Sequence, residues 1–359
     1  MSPSIYVLIA VGLTLLSLGA YGLFQGTRRL LAGTRFPVAL TGTALALAVA
    51  APELSVAIRA ALEGKGDLAV GNAIGTPLIN LSLVLGAIAF ILPLSATPKD
   101  ALSHPLALGV AGVGFAWLAL DGQLTHAEGA IMIAGWMAYT LFVLRHRERN
   151  GLISATEAVT QAAPPQPHRL PRLWNSVLIA AGAVFIVLGA DAFVRGATEL
   201  GVALGLSELV VGLTVIAAGT ALPEFVLCLV VAYRGQHATV VSILFSSALT
   251  SLLLATGLAT FVNSPGLSIS PNALALDLPL MLIVMAIAAF LIFTGTVGRL
   301  TGILLGTGYS AYLLYLALFS TGMPQLVAYR HILLAYALPI AGLLILARLA
   351  WYVAHRRQG

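Results

Sequence analysis

Apolar residues in this chain come in long continuous blocks, and polar residues are gathered into short breaks between them. The blocks do not alternate residue by residue, so they do not read as barrel strands. About 20 apolar residues coiled as a helix match the hydrocarbon thickness of a bilayer. The pattern predicts eleven spanning helices, over 4–24, 36–62, 67–93, 104–120, 127–145, 173–194, 206–233, 238–262, 272–294, 299–319 and 331–354. Most breaks are short. The exception is 146–172, polar and proline-rich, which reads as a cytoplasmic linker between a first half (1–145) and a second half (173–320). Residues 321–359 then hold an extra carboxyl-terminal helix and a basic tail.

Composition agrees with the pattern. Of 359 residues, 59% are apolar and only 9% charged, with mean hydropathy +0.99. A soluble domain carries about 25% charged residues. That contrast excludes a soluble enzyme and a disordered chain. The single cysteine, Cys228, excludes an internal disulfide scaffold. The first block is too long and apolar for a cleavable leader, so it reads as the first span. Arg28, Arg29, Arg35, Lys99, Arg145, Arg147, Arg149, Arg169, Arg172, Arg234 and Arg299 fall in alternate breaks. The rule that basic loops stay inside then places the amino terminus outside and the carboxyl terminus inside. The lack of any eukaryotic regulatory insertion in 146–172 fits a prokaryotic inner membrane.

The halves repeat one another. Residues 18–53 (LGAYGLFQGTRRLLAGTRFPVALTGTALALAVAAPE) resemble 188–224 (LGADAFVRGATELGVALGLSELVVGLTVIAAGTALPE). After the shared Pro-Glu the register continues at an offset of 171, so that 66–86 aligns with 237–257. Five spans separate the copies, and an odd number inserts the second copy upside down. The expected fold is an all-α polytopic membrane protein of two inverted five-helix repeats plus an extra helix, the arrangement of many secondary transporters.

The repeated polar residues carry the candidate chemistry. Glu53 and Glu224 fall in the middle of spans two and seven, where a carboxylate is costly unless it faces a partner, a cavity or a ligand. Pro52 and Pro223 precede them, and each removes the helical donor of a carbonyl four residues earlier, that of Ala48 or Gly219. In the next span Asn72, Thr76 and Asn80 share one helical face, and the equivalent positions are Ile243, Ser247 and Ser251. Carboxylates, carbonyls, amides and hydroxyls make a hard-oxygen set, suited to Ca²⁺ or Na⁺. Gly71 and Gly75 would let helices approach closely. Ser246 and Thr250 read as hydroxyls bonded back to helical carbonyls. Asp191 and Asp277 read as interfacial, Cys228 as a small buried hydrophobe, and the seven histidines as loop or end residues without metal spacing. There is no nucleotide loop, catalytic triad or zinc motif, and nothing suggests nucleic acid or an obligate protein partner.

At these residues the chain resembles the cation/calcium exchanger superfamily, in particular prokaryotic sodium/calcium exchangers. The match lies at Gly219-Thr220-Ala221-Leu222-Pro223-Glu224, at Ala50-Ala51-Pro52-Glu53, and at Gly71-Asn72-Ala73-Ile74-Gly75-Thr76-Pro77-Leu78-Ile79-Asn80. The resemblance implies that Glu53 and Glu224 bind Ca²⁺ and Na⁺ in alternation. Thr220, Asn80, Thr76 and Ser247 would add oxygens. The chain also departs from the family pattern. Val49 and Ala50 stand where the first repeat carries Thr-Ser, and Ala221 replaces the serine of the second. Ser242 to Ser246 replace the second Gly-Asn-x-x-Gly, and Ser251 stands where Asp or Asn is common.

The reading is therefore an antiporter moving Ca²⁺, or a similar divalent ion, against Na⁺ without a cofactor. Coupling is reduced or proton-based because ligands are missing. Two alternatives stay open: a Ca²⁺/H⁺ or monovalent cation/H⁺ antiporter on the same scaffold, and a channel-like or non-transporting relative. The eleventh span is an accessory helix or a homodimer contact.

Overall fold

Where no water reaches the backbone, each apolar block must close its own hydrogen bonds, and it does so as a helix. In the computed structural model, which describes residues 3–31, 44, 47–95, 103–150 and 172–320, helices dominate. They are α1 (Pro3–Leu31), α2 (Ala51–Leu62), α3 (Gly66–Ile91), α4 (Ser103–Leu118), α5 (His126–Asn150), α6 (Arg172–Leu204), α7 (Glu208–Tyr233), α8 (His237–Val262), α9 (Ala273–Phe293) and α10 (Arg299–Ser320). Seven of them, α1, α3 and α6 to α10, are long and apolar enough to cross a membrane. The chain is an integral multi-pass membrane protein. The early part of the expected second span, most of the linker, and the eleventh span with its tail lie outside the described residues.

Two helices run well past their apolar windows. α1 has 29 residues and α6 has 33. At 1.5 Å per residue each exceeds the roughly 30 Å of hydrocarbon, so each must tilt or protrude. The extensions hold because Arg28, Arg29, Arg195 and Glu199 are good helix formers. α6 ends only at Gly205, whose φ of 69° a side chain would resist. The two long helices lie antiparallel with their backbones in contact. A Cβ on Gly19 would come 2.8 Å from the Gly182 carbonyl oxygen, and one on Gly189 would come 2.7 Å from the Leu16 nitrogen. Gly12, Gly19 and Gly26 recur every seven residues, as do Gly182, Gly189 and Gly196. Glycine at that spacing permits the close seam.

α3 and α8 form the centre. In each, 78% of the most apolar window is buried, against 28% in α1 and α10. Their internal structure matches residue for residue. In α3 an ordinary helix (66–78) gives way to a widened, π-type turn at Ile79–Val84 and then resumes; in α8 the same change falls at Thr250–Ala255. Every boundary shifts by 171, the offset of the sequence repeat. Further widened turns occupy Gly212–Ile216 in α7 and Ala273–Asp277 in α9. Two short ladders tie the halves together. β1 (Leu94–Ser95) pairs with β4 (Thr296–Val297), and β2 (Gln123–Leu124) pairs with β3 (Leu267–Ser268), both antiparallel. Leu94 faces Val297 and Leu124 faces Leu267, so one ladder maps onto the other at an offset of 173.

The close approach expected of Gly71 and Gly75 is present, and Gly212 supplies the other side. α7 begins where the Ser207 hydroxyl accepts the Val210 N–H, and its first turns then cross α3. A Cβ on Gly71 would lie 2.5 Å from the Leu209 carbonyl oxygen. One on Gly212 would strike the Leu68 carbonyl oxygen. Gly71→Ala should therefore force α3 and α7 apart and destabilise the protein by about 1–3 kcal/mol, as overpacking does. Gly114→Ala, in open space on α4, should be neutral or slightly stabilising. Thermal unfolding of the two purified variants checks the contrast.

Candidate functional site

The crossing at Gly71 and Gly212 brings the polar residues of both halves together. Glu53 stands in the first turn of α2, just after a bend at Ala50. Pro52 suits that place, because the N–H it lacks would have no helical acceptor in a first turn. Pro223 differs. It lies inside α7, downstream of the widened turn at Gly212–Ile216, so the second half loosens its helix before the proline. Gly219 is covered by the Phe193 ring of α6, which would strike a Cβ there.

Glu53 and Glu224 are 3% and 5% exposed, and their carboxyl groups lie within hydrogen-bonding reach of each other. Asn80, wholly buried at the head of the widened turn of α3, donates from Nδ2 to Glu224 Oε2 at 2.8 Å and to Ser247 Oγ at 3.2 Å. Among the described residues no Lys, Arg or His forms an ion pair with either glutamate. Glu53 Oε2, Asn80 Oδ1, both amide atoms of Asn72, and Ser251 Oγ are buried without a hydrogen-bond partner. Four of those five atoms are oxygens, and each can accept a cation or a donor. The α8 segment carrying Ser251 packs against α2 and α3.

The hydroxyls behave less uniformly than the sequence suggests. Ser246 and Thr250 bond back to carbonyls of α8 at 2.6 and 2.8 Å, as expected. Thr76 does the same to the Asn72 carbonyl at 2.9 Å, and Thr220 to those of Ile216 and Ala217, both at 3.2 Å. A hydroxyl that donates backward keeps its lone pairs, so Thr76 and Thr220 can still accept. Cys228 is buried one turn beyond Glu224. The described residues hold no group of three or more His, Cys, Asp or Glu side chains suited to a metal. The donors are therefore two carboxylates with neutral oxygens, a set for hard cations.

One expectation needs correction. Asp277 is not interfacial but wholly buried, with Oδ1 accepting the Tyr312 hydroxyl at 2.8 Å. His104 stands at a helix end, as expected, but is buried there, with Nδ1 2.6 Å from the Tyr139 hydroxyl. Both sit near span ends, where polar residues usually meet headgroups, and each is instead covered by its neighbouring helix. The sequence did hold a signal, since each lies 35 residues before its tyrosine. Asp191, expected near a span end, lies inside α6 because that helix runs on to Leu204; it is about a third exposed and paired with Arg59 and, at 3.1 Å, with Arg195.

Residues 4–145 and 174–319 match the sodium/calcium exchanger protein family. The inner membrane protein YrbG of Escherichia coli (strain K12) is 30% identical over 271 residues, covering 73% of this chain and 81% of that protein. The putative antiporter CaxA of Alkalimonas amylolytica is 28% identical over 265 residues, covering 72% and 81%. A solved structure of the sodium-calcium exchanger NCX_Mj superposes with a TM-score of 0.58 at 23% identity, covering 86% of this chain and 98% of that one. This likeness is one of fold.

Proposed function

The chain belongs to the sodium/calcium exchanger family, and from that premise we propose that it is a secondary antiporter of the inner membrane that moves Ca²⁺, or a similar divalent cation, against Na⁺ by alternating access. The observation that carries this reading is the meeting of Glu53 and Glu224, one from each half, beside Asn80 and without a basic partner among the described residues. Two adjacent buried carboxylates repel, and a low-dielectric site offers little else to offset the charge. One divalent ion neutralises both. Two monovalent ions, or protons, do the same. The site is thus complete only with cargo, which is what an exchanger requires and a structural clasp does not.

The repeated architecture supports the transport step. The matched widened turns of α3 and α8, and the two ladders related at one offset, fit an inverted pair of five-helix repeats with the site between them. The glycine seam binds α1 and α6 to each other along their length, so that the pair could slide against the core as one unit.

Sodium coupling is reduced in this reading. Ala221, in place of a serine, lines an apolar groove of about 230 Å³ with Ile79, Leu83, Ala87, Ala218 and Leu222. That wall offers no side-chain oxygen to a sodium ion. Ile243, in place of asparagine, is likewise buried and apolar. Protons need only the carboxyl pair, since protonation of either neutralises a buried charge. Proton coupling is therefore the second reading.

Radiolabelled Ca²⁺ uptake into proteoliposomes separates the two. A sodium gradient without a pH difference should drive uptake if Na⁺ is the counter-ion, and a proton gradient without sodium should drive it if H⁺ is. Glu53→Gln and Glu224→Gln should each abolish it; uptake that survives both would overturn the reading. Asn80→Ala removes a charge-assisted bond worth about 1.5–3 kcal/mol, so it should weaken Ca²⁺ binding by roughly tenfold to a hundredfold. Thr220→Ala, whose hydroxyl already has backbone partners, should weaken it less. Calcium titration of the purified variants measures both.

A further inference from the structure

The buried pairs outside the central site are not independent of each other. His104 and Asp277 are 173 residues apart, and so are Tyr139 and Tyr312. This is the offset that relates the two strand ladders. Both halves thus place an ionisable group at one equivalent point, bonded to a tyrosine across a helical hairpin: α4 to α5 in the first half, α9 to α10 in the second. Each pair also leaves one buried atom without a partner, His104 Nε2 and Asp277 Oδ2. Apolar side chains would pack such positions without a desolvation cost.

Asp277 is the sharper case. Its carboxyl is fully buried, and among the described residues it has a single hydrogen bond and no cationic partner. Neither of its forms is fully satisfied. Ionised, it is a buried charge steadied by one tyrosine. Protonated on Oδ2, it offers a donor with no acceptor. The ionisable group facing it is Tyr312 on α10, which in turn neighbours Tyr309 and Tyr315; among the described residues α3 and α4, packed on the other sides of α9, bring no charged group that acts on it. The pair is also placed to matter. α9 and α10 both pack on the widened turn of α3 that carries Asn80. In the first half, α5 reaches the matching turn of α8, where Trp136 Nε1 donates to Thr250 at 3.1 Å.

We propose that Asp277 and Tyr312 form a second proton-binding site, separate from the Glu53–Glu224 pair, whose occupancy sets how the α9–α10 hairpin presses on the turn carrying Asn80. With the proton bound, the hairpin packs as a neutral unit. Loss of the proton leaves a buried charge that only Tyr312 answers, and the hairpin must shift to hydrate it.

Two measurements on the full-length protein test this, and only the first depends on the exchange activity proposed above. In proteoliposomes with equal pH on both sides, exchange should fall on the alkaline side as Asp277 loses its proton, by about tenfold per pH unit for a single titrating group. Asp277→Asn keeps an acceptor for Tyr312 and has no proton to lose, so its exchange should lack that alkaline limb. A limb unchanged in Asp277→Asn overturns the proposal. In infrared difference spectra on raising the pH, a carboxylic C=O band should be lost from the wild type and from the Glu53→Gln/Glu224→Gln double variant. It should be absent once Asp277→Asn is added, and shifted in frequency in Tyr312→Phe, which keeps the carboxyl and removes only its hydrogen bond. A band already absent from the double variant overturns the second site and leaves the central one standing.

Discussion

The structure depends on one electrostatic constraint, the meeting of two buried acidic side chains that no basic residue among the described residues pairs with. Glu53 and Glu224 can share that space only if something positive shares it with them. Every neighbouring feature serves to bring them close while keeping other polar groups within reach. Backbone contact at Gly71 and Gly212 draws α3 and α7 together. The bend at Ala50 starts α2 one turn short of the carboxylate. The widened turns of α3 and α8 begin one residue before Asn80 and Ser251. A π-type turn inserts extra backbone without ending the helix, which re-aims side chains on the next turn.

Much of this was legible in the sequence, for a reason particular to the chain. The central residues occur twice, and a repeated Pro-Glu in apolar surroundings stands out against a background of Leu, Ala and Val. The offset of 171 that aligned 66–86 with 237–257 also aligns the helix boundaries of α3 and α8. The π-type turns were not legible, because no local residue marks them. Pro77 precedes the first, but the equivalent residue before the second is Ala248, so the turns follow from packing rather than from a breaker. The α1–α6 seam was half visible. The Leu-Gly-Ala matches at 18–20 and 188–190 were plain, but the sevenfold glycine spacing has meaning only once the two helices are known to lie side by side.

Asp277 and His104 show a different limit. A polar residue near the end of an apolar block meets headgroups in most spans, and nothing local distinguishes one that is covered. Coverage comes from the partner helix of the hairpin, through a tyrosine 35 residues away. Internal repetition supplies the missing distance information here, since a pair that recurs at the offset of the fold is a pair in space. The same argument shows why Thr76 and Thr220 were harder to judge than Asn80. A hydroxyl in a helix always has a carbonyl one turn back to bond, whereas a buried amide must find its partner on another helix.

The repeat is also imperfect in a way that bears on the site. Gly71 and Gly75 of α3 correspond to Ser242 and Ser246 of α8, so only the first half has glycine at the positions that permit its tight crossing. The carboxyl groups differ accordingly. Glu224 is held by Asn80, which also donates to Ser247, while Glu53 keeps Oε2 without a partner. One carboxylate is therefore fixed by the protein and the other is left for whatever enters. A symmetric site would hold its cargo equally from both sides. In the proposed exchanger an unequal one would give the two halves different contributions to binding, so that moving one half past the other would change the coordination of the ion as well as its access to solvent.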